Sequence, residues 1–174
     1  RAPERLFGLL MQAAGRAGRD ADISAQSEMW LQTFQPTHPL YEALKKHDYP
    51  AFAASQLKER QQAGMPPFSF QALVRAEARS QEAAQGFLNL ASLAATSQSD
   101  MTALLAQLML YPAVPMSMAR IANIERAQML VESPSRAVLQ RFLVAWQGVL
   151  HSTRAHPACK GVIRWAIDVD PLNI

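Results

Sequence analysis

Apolar residues recur at helical spacing near the start of the chain. Leu6, Leu9, Leu10 and Ala13 predict a helix over residues 5–14, which Gly15 and Gly18 are expected to break. A polar stretch over 20–28 follows. Met29-Trp30-Leu31-Gln32-Thr33-Phe34 then reads as a short β-like run ended by Pro36 and Pro39. Two helices are predicted over 40–46 and 49–62, parted at His47-Asp48. In the second, Tyr49, Phe52, Ala53, Gln56, Leu57 and Arg60 share one face, while Lys58 and Glu59 take another. Gly64-Met65-Pro66-Pro67 is the strongest punctuation in the chain, and a domain boundary is expected between Pro36 and Pro67, with the helices as a packed connector.

Beyond Pro67 the period changes. Residues 68–78 alternate, with Phe70, Ala72, Val74 and Ala76 on one side, as in a half-buried strand. Residues 80–95 predict a helix that Ser80 can cap. Residues 101–110 fit helix or strand, and should lead into a strand near 108–114. A further strand is expected over 126–132. Ser133-Pro134-Ser135 opens a helix over 137–151, and 162–169 alternates as a last strand. The order is β-α-β-β-α-β, so the fold class predicted for 68–174 is α+β, of the ferredoxin-like split βαβ kind, with two helices on one face of an antiparallel sheet.

Composition changes this picture little. At 174 residues there is room for one domain and part of another. No run of eighteen apolar residues occurs, so a membrane span is not expected, and a start at Arg1 in the middle of what reads as a helix suggests a piece of a longer protein. One cysteine, Cys159, excludes an internal disulfide and a cysteine-rich zinc site, and a cytoplasmic setting fits. A net charge of +3 permits contact with nucleic acid without demanding it. Trp146 and Trp165 are expected in the core, Trp30 packed beside the first helix, and the scattered methionines as gap fillers. Asp168 and Asp170, two apart, suit a solvent-facing strand end better than a metal.

The stretch with most chemistry is Gln12-Ala13-Ala14-Gly15-Arg16-Ala17-Gly18-Arg19. Two arginines three apart lie on one side of a helical turn, and the glycines allow close backbone approach. A guanidinium pairs with phosphate oxygens as a rigid fork and can stabilise charge on a transferring γ-phosphoryl group, worth about 10³–10⁵ in rate in other nucleotidases. A solvated basic turn at a helix end is the plain alternative. The full Gln-x-x-Gly-Arg-x-Gly-Arg pattern resembles motif VI of superfamily-2 helicases, which the second RecA-like lobe contributes. That resemblance implies nucleotide-facing roles for Gln12, Gly15, Arg16 and Arg19, with Arg16 and Arg19 catalytic.

Further along, Leu31-Gln32-Thr33, His38-Pro39-Leu40, Tyr49, Phe52, Glu59-Arg60, Pro66-Pro67-Phe68, Val74-Arg75-Ala76-Glu77, Ser133-Pro134-Ser135-Arg136 and Asp168-Val169-Asp170-Pro171 follow in the order found in the PriA (primosomal protein N′) family. The resemblance runs from Gln12 to the end. It implies a replication-restart DNA helicase that unwinds 3′ to 5′ with ATP and Mg²⁺. Its expected partners are branched forks, single strands and other primosome proteins. It divides the chain into the end of a RecA-like lobe (1–36), a helical connector (37–67) and a ferredoxin-like domain (68–174). The family's zinc is held by cysteines absent from this chain. No Gly-x-x-x-x-Gly-Lys-[Ser/Thr] cradle is present either, so the chain alone is expected to be inactive and to bind no cofactor.

Two surfaces of the last domain are candidates for binding. Arg120 and Arg126 bracket the connection between the middle strands, which in the family is richer in basic and aromatic residues and is a candidate for DNA contact; Glu125 and Ala127 stand where aromatic residues would be expected, so a solvated hairpin remains open. Arg136 and Gln140 lie one turn apart at a helix N-terminus, a setting that suits a carboxylate. They match positions with which the family docks the acidic tail of single-stranded DNA-binding protein. A plain first-turn arginine is the other reading. A non-catalytic ferredoxin-like module that binds protein or nucleic acid, or a small molecule, stands as the alternative to the motor.

Overall fold

A computed structural model describes residues 2–17 and 28–172, which fall into two compact units, Arg1–Ala63 and Gly64–Ile174. The described residues of the first unit form three helices: α1 (Ala2–Ala17), α2 (Pro39–Lys45) and α3 (Tyr49–Gln62). Proline in the first turn and a side-chain cap start both α2 and α3. The His38 ring accepts from the Leu40 amide (3.1 Å) and the Asp48 carboxylate from the Ala51 amide (3.0 Å). Phe7 of α1, Leu40 and Leu44 of α2 and Phe52 of α3 form one small core, in which Phe7 and Phe52 stack at 4.5 Å. Arg60 closes the unit with an ion pair to Glu4 at 2.9 Å. Phe7, Leu10 and Met11 of α1, and Met29, therefore share a single cluster with α2 and α3.

Two expectations for this unit give way. The helix does not stop at Gly15 but runs on to Ala17, because one interior glycine costs only about 1 kcal/mol and Gly15 keeps an ordinary backbone. Residues 29–34 form no strand: a strand needs a neighbour for its N–H and C=O groups, and none pairs with this run among the described residues. Trp30, expected to pack, is 88% exposed.

The second unit is a mixed α+β structure with one antiparallel sheet of five strands: β1 (Phe70–Ala78), β2 (Met109–Leu110), β3 (Val114–Ile121), β4 (Ile124–Ser133) and β5 (Val162–Val169). β1 lies between β4 and β5, and both β2 and β3 pair with β4. Helices α4 (Gln81–Thr96), α5 (Ser99–Leu105) and α6 (Arg136–Ala155) complete it. The ambiguous 101–110 stretch resolves into the end of α5 and the two-residue β2.

Register decides what each face carries. Ala72, Val74 and Ala76 of β1 face Val131, Met129 and Ala127 of β4, and these six are buried with Phe87, Leu88 and Ala91 of α4 and Leu139, Phe142 and Trp146 of α6. The Trp146 indole donates to the Ala91 carbonyl at 2.9 Å, tying α6 to α4. Among the methionines, Met101 and Met129 fill the core as expected, whereas Met109 and Met118 are exposed because β2 and β3 lie at the sheet edge. The chain from 120 to 126 is the hairpin that the sequence left open: Arg120 and Ile121 end β3, Ala122 and Asn123 turn with φ of 49° and 63°, and β4 begins at Ile124. Left-handed values at both central positions belong to the tight hairpin turn whose twist matches the strands.

Candidate functional site

Three places collect the residues with chemistry. On α1, burial of Phe7, with Leu10 and Met11 partly covered, fixes the helix orientation. Gln12, Gly15 and Arg16 fall on the exposed side. Gln12 and Arg16 are one turn apart and therefore neighbours on the helix surface. A Cβ at Gly15 would meet nothing within 4 Å, so the backbone there is open to close approach. Arg16 makes no ion pair or hydrogen bond among the described residues and sits in the last helical turn, where a cation suits the helix dipole. Gly18 and Arg19 lie outside the described residues.

The second place is the sheet face opposite α4 and α6. Glu77 of β1 is flanked in register by Arg126 of β4 and Arg164 of β5. Arg164 grips its carboxylate with two hydrogen bonds, at 2.6 and 2.9 Å, and Arg126 stands 3.6 Å away. The Arg164 hydrogen bond holds the Glu77 carboxyl below its ordinary value against the opposing effect of burial, and Glu77 raises Arg164 in return. Arg75 pairs with Asp168 at 3.0 Å on the same face. Arg126 is thus 22% exposed and committed to Glu77, whereas Arg120 is 63% exposed and held, among the described residues, by Asn123 (2.7 Å) and Glu125 (3.5 Å). Ala127 points into the core, so an aromatic ring there would not reach a bound base. Strand alternation in the sequence carries the signal for this network, since Glu77 and Arg75 share parity; the cross-strand partners needed the register.

The third place is the start of α6. Ser135 caps the helix by accepting from the Val138 amide (3.4 Å), and Arg136 and Gln140 are exposed on its first two turns. The Arg136 guanidinium lies over the Phe70 ring, 5.7 Å from its centroid, and is ion-paired with Asp170. Neither Phe70 nor Asp170 was singled out as part of this site from the sequence, because they lie far from Arg136 along the chain. Asp168 and Asp170 each serve an arginine, and among the described residues no three His, Cys, Asp or Glu side chains group to hold a metal ion. Cys159 is buried, which pushes its thiol up and away from reactivity. No described helix is long and apolar enough to cross a membrane.

Comparison with known proteins points one way. A family model described as the primosomal protein N C-terminal domain matches residues 61–172. The chain is 38% identical over its whole length to replication restart protein PriA of Haemophilus influenzae. It is 31% identical to the protein of that name in Synechocystis and 33% to that of Treponema pallidum, again over all 174 residues. The chain spans 22%, 19% and 24% of those three relatives.

Proposed function

The chain belongs to the primosomal protein N C-terminal domain family, and from that premise we propose that it serves a replication-restart DNA helicase as half of its ATP site and as a docking module. The observation that carries the motor half is the exposed Arg16, without a partner among the described residues, beside Gln12 on the outer side of α1. In this reading Arg16 and Arg19 face the γ-phosphate of ATP bound with Mg²⁺ on another lobe, and Gln12 orients the nucleotide or the attacking water. Gly15 leaves room for that approach. The fit is chemical: a solvent-facing guanidinium fork is what a phosphoryl oxygen requires. The nucleotide supplies the free energy for strand separation; these residues position and neutralise charge. Residues 1–36 are then the end of a RecA-like lobe, and the chain by itself hydrolyses nothing. Zinc belongs to cysteines outside this chain.

The docking half rests on the second unit, which we read as ferredoxin-like. Its strand order β5-β1-β4-β3, with α4 after β1 and α6 after β4, supports that reading; α5 and β2 are additions. Arg136 and Gln140 are its proposed contacts for the acidic tail of single-stranded DNA-binding protein, and DNA, as forks or single strands, is the other partner. Arg120 is better placed than Arg126 to touch phosphate. A cytoplasmic location and primosome partners go with this function.

The test is DNA-stimulated ATPase in the complete protein. Arg16→Ala and Arg19→Ala are each expected to lower turnover by at least about 10³-fold, as loss of an arginine finger does elsewhere. Undiminished turnover would leave the second reading, a non-catalytic binding module, in its place.

A further inference from the structure

The docking reading treats Arg136 as available, yet its guanidinium already holds a carboxylate. We propose that Asp170 is a resident surrogate ligand, which the terminal carboxylate of an incoming acidic peptide must displace from Arg136. The inference rests on the docking reading and adds the group that regulates it.

Several features fit a displaceable plug better than a structural strut. Arg136 and Asp170 are 60% and 48% exposed, so their pair sits in water where exchange of one carboxylate for another costs little. The Asp170 backbone does not depend on the pair: its N–H donates to the Gln71 carbonyl at 2.9 Å, which anchors the end of β5 to β1. The side chain can therefore swing out while the strand end stays in place. Arg136 has a second support as well, since Phe70 lies beneath the guanidinium and continues to hold it when Asp170 leaves. That ring supplies apolar surface beside the charge, as a peptide with an apolar last residue requires. The positive end of the 20-residue helix α6 favours an anion at the same spot, whichever chain provides it.

Asp170→Asn isolates the proposal. Asp170 has φ of 53°, and asparagine is among the few residues that take left-handed values readily, so the turn and its N–H bond survive. The probe is a fluorescent acidic peptide ending in Asp-Phe with a free carboxylate, titrated into the full chain by anisotropy at fixed low salt. Asp170→Asn is expected to tighten binding roughly two- to fivefold, the range a solvent-exposed ion pair supports. The gain should vanish in the Arg136→Ala background and with the amidated peptide. Asp168→Asn, which frees Arg75 instead, should not reproduce it. Unchanged or weaker binding by Asp170→Asn would overturn the proposal and make Asp170 a residue that positions Arg136. An equal gain from Asp168→Asn would also overturn it, as a general charge effect. If Arg136→Ala binds as tightly as the unmodified chain, the docking reading itself falls, an outcome distinct from both.

Discussion

Replacing Trp146 with phenylalanine probes the joint that keeps α6, and with it Arg136 and Gln140, in place. Trp146 is fully buried, tilts against Phe142 at 5.2 Å and donates its indole N–H to the Ala91 carbonyl. Phenylalanine removes that hydrogen bond, worth about 1 kcal/mol net. The Ala91 carbonyl lies inside α4 and keeps its helical bond, so no acceptor is orphaned. The smaller ring also lacks three heavy atoms of the indole; at about 0.8 kcal/mol per buried carbon, that adds about 2 kcal/mol. The expected loss is therefore about 3 kcal/mol, against about 3–5 kcal/mol for Trp146→Ala, which leaves a larger cavity. Urea unfolding followed by far-UV circular dichroism measures it, with Trp30→Phe as a control expected within about 0.5 kcal/mol because Trp30 is exposed. A loss below about 1 kcal/mol for Trp146→Phe would mean that the indole neither fills the α4–α6 joint nor bonds across it.

Glu77 predicts an acid limb. Its folded carboxyl is held below the ordinary value of 4.5, so its stabilising contribution is present above that value and is lost as pH falls through the lower folded value. Unfolding free energy measured from pH 6 to 3 should decline less steeply in Glu77→Gln, and an unaltered slope would rule this linkage out. Gly86 is exposed on α4 with open space where a Cβ would go, so Gly86→Ala should raise stability by about 0.5–1 kcal/mol. Gly64, at φ of 61°, should lose about 1 kcal/mol in the same exchange, and both are read from denaturant midpoints. Cys159 should react with a thiol reagent only as fast as the second unit opens; rapid labelling of the native chain would contradict its burial.

What the sequence disclosed follows from how local each signal is. Alternation at Phe70–Ala78 and Val162–Val169, the Ser80 and Ser135 caps and the apolar stripe of α6 are written in neighbouring residues, and the corresponding elements stand where they were expected. Residues 29–34 misled because a β-like run says nothing about whether a partner strand exists. Gly15 misled because glycine only tilts a helical balance that Phe7, Leu10 and the neighbouring helices decide. The hairpin between Arg120 and Arg126 was open from the sequence, but not its turn at Ala122-Asn123: that turn carries no glycine, and the pairing of β3 with β4 forces its left-handed backbone.

The candidate sites divide along the same line. The Gln12–Arg19 motif is contiguous, so its resemblance can be read from its letters, and the structure adds the face of α1 on which Gln12 and Arg16 stand. The arginines of the second unit are different, because what each can bind depends on a carboxylate that the fold brings to it. Arg126 was read as available and is tied to Glu77 across a strand; Arg136 was read as available and holds Asp170 from the end of another. The two ties are not equivalent. Glu77 is 16% exposed and clasped from both sides, so exchanging it for an outside anion would bare a partly buried carboxylate, whereas the Arg136–Asp170 pair is open to water. An acidic ligand therefore competes far more readily at Arg136. That difference in desolvation is the physical ground on which a docking role is proposed at the start of α6 and a structural one at Arg126.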